Sequence, residues 1–175
     1  MVQSVELVLD AGLERLVREE WDLLLAADLP SQARHPGQSN VPHVTVGLAG
    51  AVTPAAEEAL RAVPEPVGMV VRLGGWLVFS GRRHVLARAV VPSAALLSLH
   101  ERVSAAMAGL PEQPSTTAPD GWTPHVTLAR RFTTDQLALA LDLLADRPRE
   151  LVGSMAGLRR WDGDARVAWT LAATS

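Results

Sequence analysis

The sequence predicts an α+β fold built as a bilobal, pseudo-two-fold duplication in which each half runs βαβαββ. Three observations carry this. Strand-like and helical apolar patterns alternate along all 175 residues, and the tetrapeptide Pro-His-Val-Thr occurs twice, at 42–45 and 124–127. The 82-residue offset from His43 to His125 also lays the first helical pattern onto the helix that opens the second half. Two copies of a unit this long point to a duplicated domain rather than a solenoid. A fold of that kind sets equivalent strands against each other across a cleft. The expected organisation is one domain over 1–175, with lobes from repeats at about 1–83 and 84–175.

Each element has its own signal. Residues 5–9 are a short apolar strand, and 12–27 place Leu13, Leu16, Val17, Trp21, Leu24 and Leu25 at helical spacing. Residues 28–40, rich in Pro, Gly and small polar side chains, read as a loop leading into the strand at His43. Thr53-Pro54 is an N-cap followed by proline at the first helical position, opening a helix to about 62. Residues 67–73 and 76–80 read as two strands around Gly74-Gly75. The second half repeats the order: a strand at 85–91, a helix opened by Pro92-Ser93 to about 108, and a loop over 110–123. The strand at His125 follows, then a helix capped by Thr133 or Thr134 to about 145, a weak strand at 151–158 and a stronger one at 165–171.

Composition narrows the function. At 48% apolar and 20% charged residues the chain folds as a globular unit of one substantial core. Without cysteine it has no disulfide, no thiolate zinc site and no thiol nucleophile. No leader-like N-terminus and no membrane-length apolar run are present, so the expected location is cytoplasmic. A net charge of −3 argues against holding long duplexes and for a small or short phosphate substrate. All 16 basic residues are arginine, so phosphate contacts fall to Arg, His, Ser, Thr or backbone N–H.

The repeated tetrapeptide carries the chemistry. Alternation puts His43 and Thr45 on one strand face and Val44 and Val46 on the other, and does the same for His125 and Thr127. Pro42 and Pro124 mark strand starts, where a cleft can open. Two facing histidines suit in-line displacement at phosphorus: a neutral imidazole removes a proton from the attacking oxygen, and an imidazolium protonates the departing one. The threonine hydroxyls can donate to non-bridging oxygens.

These paired motifs resemble the two His-x-Thr motifs of the 2H phosphoesterase superfamily, most closely its bacterial 2′-5′ RNA ligase and cyclic phosphodiesterase branch. The resemblance spans almost the whole chain. It implies antiparallel sheets lining a central cleft with helices outside, and neither metal nor cofactor for hydrolysis. It also implies His43 and His125 as the catalytic pair with Thr45 and Thr127 as phosphate contacts. Leu128-Ala129-Arg130 resembles the arginine that often follows the second motif, making Arg130 a substrate contact through its guanidinium fork. Strand alternation sends Arg131 to the other face.

The expected substrate is a small nucleotide or an RNA 3′ end bearing a 2′,3′-cyclic phosphate, handled by a monomer without a membrane partner, with 2′-5′ ligation as the reverse reaction. Tyrosine is absent, so base stacking falls to Trp122, Trp76 or Phe79. Two alternatives stay open: a non-catalytic module that binds nucleotide or an RNA end, and a same-fold enzyme acting on an ADP-ribose cyclic phosphate or on 2′-5′ oligonucleotides. The other histidines, His35, His84 and His100, lack metal-type spacing. His100 falls inside a helical pattern as a packing or surface residue, and Arg82-Arg83 sits in a turn.

Overall fold

A computed structural model of the chain describes residues 2–171. The chain begins with β1 (Gln3–Leu9), α1 (Ala11–Ala26), β2 (His43–Ala49), α2 (Pro54–Arg61) and β3 (Val70–Phe79). It continues with β4 (His84–Val90), α3 (Ala94–Ala106), β5 (His125–Phe132), α4 (Thr134–Leu143), β6 (Leu151–Asp162) and β7 (Val167–Thr170). The strands pair antiparallel in the order β1-β2-β5-β4-β3-β6-β7. Because β1 also pairs with β6, the ladder returns on itself.

Helix starts follow local chemistry. Asp10, Thr53, Ser93 and Thr133 cap α1 to α4 by accepting from the backbone N–H three residues on, and Gln136 completes a capping box with Thr133. Asp10 has a second role: its other oxygen accepts from the backbone N–H and the hydroxyl of Ser154, tying the start of α1 to β6. Those donors, the Leu13 N–H foremost, hold its carboxyl below the usual carboxylate range.

The core lies between the helices and the inner sheet face. Val44, Val46, Val126 and Leu128 are fully buried there, together with Leu13, Val17, Leu24, Val103 and Leu144. Each buried valine contributes about 1.5–3 kcal/mol, and a one-residue slip would bury the histidines and expose the valines. Burial therefore dictates which face the motif side chains take.

Two expectations need correction. Residues 67–80 do not form two strands: β3 runs unbroken through Gly74-Gly75, with only a register shift against β4 between Leu73 and Trp76. A glycine pair absorbs a bulge without ending the ladder, so the first half runs βαβαβ and only the second runs βαβαββ. The strength of the last two strands is reversed as well. β6 has 12 residues, gripped by β3 at its start and β1 at its end, whereas β7 has four. The fold also holds a buried ion pair. Arg88 of β4 and Glu20 of α1 are both fully buried, with Arg88 Nη2 donating to Glu20 Oε1 at 2.5 Å. Arg88 Nε donates to the other Glu20 oxygen at 3.2 Å, its Nη1 and Nη2 also donate to the carbonyls of Gly74, Arg149 and Pro148, and its guanidinium lies 3.8 Å from the Trp76 ring centre. Among the described residues, no helix is long and apolar enough to cross a membrane.

Candidate active site

The two motif strands meet at their first residues. β2 and β5 start at His43 and His125, run antiparallel, and pair at Val44 and Val126. Counting one residue either way from that pair sets His43 opposite Thr127 and Thr45 opposite His125. With the valines pointing into the core, all four polar side chains share the outer face.

The imidazoles are oriented alike. His43 Nδ1 lies 2.7 Å from the Val41 carbonyl, and His125 Nδ1 lies 2.7 Å from the Thr123 carbonyl. A carbonyl only accepts, so each Nδ1 carries a proton and each Nε2 is left for chemistry. The prolines explain the geometry: Pro42 and Pro124 sit between each accepting carbonyl and its histidine and hold the chain extended just before the strand.

Beyond their shared start the strands part, and each exposed carbonyl edge is braced by a tryptophan. Trp122 Nε1 donates to Thr45 O at 2.9 Å, and Trp21 Nε1 donates to Thr127 O at 3.1 Å. Trp122 is stacked on the buried His100, with ring centres 3.9 Å apart, and His100 Nε2 bonds Thr117 O. Burial holds His100 below the ordinary histidine range, keeping it neutral for that stack. The structure therefore gives Trp122, expected as a substrate contact, the task of holding the motif strand, with one ring face occupied. Trp76 is likewise taken, by Arg88. Gly121 permits this loop path, since a Cβ there would fall 2.3 Å from Ser115 O.

Phe79 is the stacking candidate beside the histidines, its ring centre 4.7 Å from that of His125. Burial pushes the His125 imidazole down from its ordinary range, and the charges of Arg130 and His43 push the same way.

Arg130 reaches this face through a bulge. Ala87 pairs with Thr127 but Leu86 pairs with Ala129, so Leu128 is an extra residue and Arg130 regains the face of His125. A second shift leaves Arg131 unpaired, with φ of 70°, a region a non-glycine residue seldom enters. Arg131 is therefore not sent away by alternation: it lines, with Arg130, Arg34, His35 and Gln136, an open cleft of about 570 Å³. A second cleft, about 710 Å³, lies on the other side near Val8, Val41, Arg159 and Arg166. Neither cleft is lined by His43 or His125.

On the His43 side lies a group that sequence reasoning missed. Glu6 of β1, only 4% exposed, sits 3.5 Å from His43 Nε2. Its only sequence signal is a carboxylate inside the apolar run 5–9. Among the described residues, no group of three or more His, Asp or Glu side chains is placed to hold a metal ion.

Comparison with known proteins adds to this geometry. The family model described as the 2′-5′ RNA ligase superfamily matches residues 51–165, which include the second motif and not the first. No curated protein matches significantly. The structure is similar to that of Usb1 from Kluyveromyces marxianus, with a TM-score of 0.53 and 16% identity over 98% of this chain and 97% of that one. Usb1 from the same organism with uridine monophosphate matches with a TM-score of 0.53 and 15% identity, covering 98% of each chain. A crystal structure of a phosphoesterase matches with a TM-score of 0.52 and 17% identity, again over 98% of each. At these identities the structural likeness establishes the fold. With a family match over more than half its length and this fold from end to end, the chain belongs to the 2′-5′ RNA ligase superfamily of 2H phosphoesterases.

Proposed function

We propose that the chain is a metal-independent phosphodiesterase that opens 2′,3′-cyclic phosphates of nucleotides or RNA ends, with His43 and His125 as its acid/base pair. One observation carries the reading. Two histidines from separate strands share one sheet face, each with Nδ1 tied to a backbone carbonyl so that Nε2 is the nitrogen left for proton transfer. In-line opening needs one proton taken from the attacking water and one given to the departing ribose oxygen, and positioned histidines contribute about 10²–10⁴-fold each to such steps. Thr45 and Thr127, between the imidazoles, are suited to donate to the non-bridging oxygens. Arg130, close enough for its charge to act on His125, is suited to neutralise the phosphate.

A nucleotide substrate is supported by the likeness to a protein whose structure includes uridine monophosphate and by Phe79 beside His125. The reverse reaction would join a cyclic-phosphate end to a 5′ hydroxyl through a 2′-5′ bond. We also read the chain as two repeats, about 1–83 and 84–175. The matched Nδ1 anchors support this, although β7 has no counterpart in the first half.

The test is a substrate panel of nucleoside 2′,3′-cyclic phosphates, cyclic-phosphate-ended RNA, an ADP-ribose cyclic phosphate and 2′-5′ oligonucleotides, each assayed with a chelator. Ring opening that survives chelation and is lost in His43→Ala and His125→Ala is the expected result. Turnover lost to the chelator, or kept in both variants, overturns the mechanism. Nucleotide binding without turnover would make the chain a binding module.

A further inference from the structure

The cleft on the His125 side is larger and more basic than one reacting phosphate requires. Arg130 and Arg131 both line it, and β5 departs twice from a regular ladder to put them there. Register shifts against β4 leave Leu128 and Arg131 as extra residues, and Arg131 takes a φ of 70°. Bulges re-aim side chains, and a non-glycine residue keeps a left-handed backbone only where its surroundings enforce it. In a regular strand these consecutive arginines would point to opposite faces; here they share one cleft.

The charges in the lining do not cancel. Arg34 is committed: its Nη2 donates to Asp28 at 2.7 Å, and its Nε and Nη2 both reach the Leu29 carbonyl. Asp28 is the only carboxylate in that lining, so this pair is neutral as a unit. Among the described residues, Arg130 and Arg131 have neither a hydrogen-bond acceptor nor a carboxylate partner. Gln136 stands with them, its carboxamide oxygen accepting from the Thr133 N–H and its amide N–H groups left as donors. Two uncompensated guanidiniums with an amide donor beside them suit an anion. The cleft on the other side does not match this, because Arg159 there is bound to Glu6 and Ser39 O, and Glu14 adds a carboxylate.

We infer that the cleft lined by Arg131 is a subsite for a second phosphate, carried on the 5′ oxygen of the same ribose whose cyclic phosphate reacts. This rests on the proposed reaction and narrows its substrate. A 2′,3′-cyclic phosphate uses both secondary oxygens of the ribose, so a further phosphate on that sugar is attached through the 5′ oxygen. Arg130, whose charge acts on His125, serves the reacting phosphate, and Arg131, one residue further along β5, serves the next. A volume of about 570 Å³ also holds more than a single ion. An RNA strand and a nucleotide pyrophosphate such as an ADP-ribose both present a phosphate at that position.

The test is calorimetric titration of the protein with adenosine 3′-phosphate and with adenosine 3′,5′-bisphosphate, at about 0.05 M salt, where charge pairing is little screened. The bisphosphate should bind at least about tenfold more tightly, the scale of added charge-assisted hydrogen bonds, and Arg131→Ala should cut that preference to about twofold or less. Arg131→Gly should do the same and suits the backbone φ of 70°, so it serves if the alanine variant does not fold. Titration with a 3′-phosphorylated dinucleotide and with an ADP-ribose phosphorylated on its second ribose identifies the source. Tighter binding of the first assigns an RNA strand, of the second a nucleotide pyrophosphate, and of neither a free terminal phosphate. Equal affinity of wild type for the two adenosine phosphates, or a preference that survives in both Arg131 variants, overturns the subsite. None of these measurements needs turnover, so a protein that opens no cyclic phosphate would count against the proposed reaction and leave this comparison standing.

Discussion

The neighbourhoods of His43 and His125 start from one tetrapeptide and end as different environments. Both rings are turned by a carbonyl two residues back, and both strands are braced at the following threonine by an indole from elsewhere in the chain. From there they diverge. β1 and β6 bring Glu6 and Arg159 to His43, whereas β3 and the bulged end of β5 bring Phe79 and Arg130 to His125. The motif determines tautomer and direction; the strands beside it determine which charged groups each ring meets. Two identical words in a sequence thus end in different surroundings, because the neighbours of each ring come from residues far away in sequence.

The comparison can be broken most severely through the framework both sites share. Arg88→Met should destabilise the fold by about 3–5 kcal/mol, because Glu20 loses its bidentate partner in a site closed to water and keeps only Arg147 Nε, 3.7 Å away. The drop in urea midpoint measures this, and Glu20→Leu added to it should recover much of the loss. Next comes the phosphate contact on the His125 side. Arg130→Ala should weaken substrate binding about 10–100-fold, the scale of a charge-assisted hydrogen bond, with a smaller effect from Arg131→Ala. Trp21→Phe and Trp122→Phe should each cost about 1 kcal/mol for the lost N–H donor. Equal losses in thermal unfolding would show the two braces to be equivalent.

The pH dependence sharpens the comparison further. Burial lowers the proton affinity of His125, so the limb of the rate profile that reports this ring should lie below about pH 6.5, where an ordinary histidine would place it. His100 acts on stability in the same window. Its folded-state proton affinity is lowered, so the unfolded chain takes up the proton first as pH falls. Its contribution is complete above about pH 6.5 and is lost on acidification below it. His100→Phe should flatten that part of the stability profile, read from urea midpoints at successive pH values.

Local chemistry was legible in advance. The caps at Thr53, Ser93 and Thr133, the starts of β2 and β5, and the outward face of His43 and His125 all follow from residue type and spacing over a few positions. What could not be read depends on pairing partners. Simple alternation would have turned Arg130 away from His125, and only the register against β4 reveals the extra residue that restores it. Glu6 and Arg159 meet across 153 positions and Glu20 and Arg88 across 68, and neither separation has a periodic signature. The Gly74-Gly75 pair misled because glycine serves both to end a strand and to bulge one, and the choice rests with β4. Trp122 has aromatic surface suited to stacking, but His100 had already taken a face of it.

The most direct test of the central claim is the rate of 2′,3′-cyclic phosphate opening by wild type, His43→Ala, His125→Ala and the double variant, all in the presence of a chelator. Two groups that move protons in one transition state act as a unit, so each single change should cost about 10³–10⁴-fold and the double change little more. Losses that multiply in the double variant, or a single variant that retains wild-type turnover, would contradict a paired-histidine mechanism.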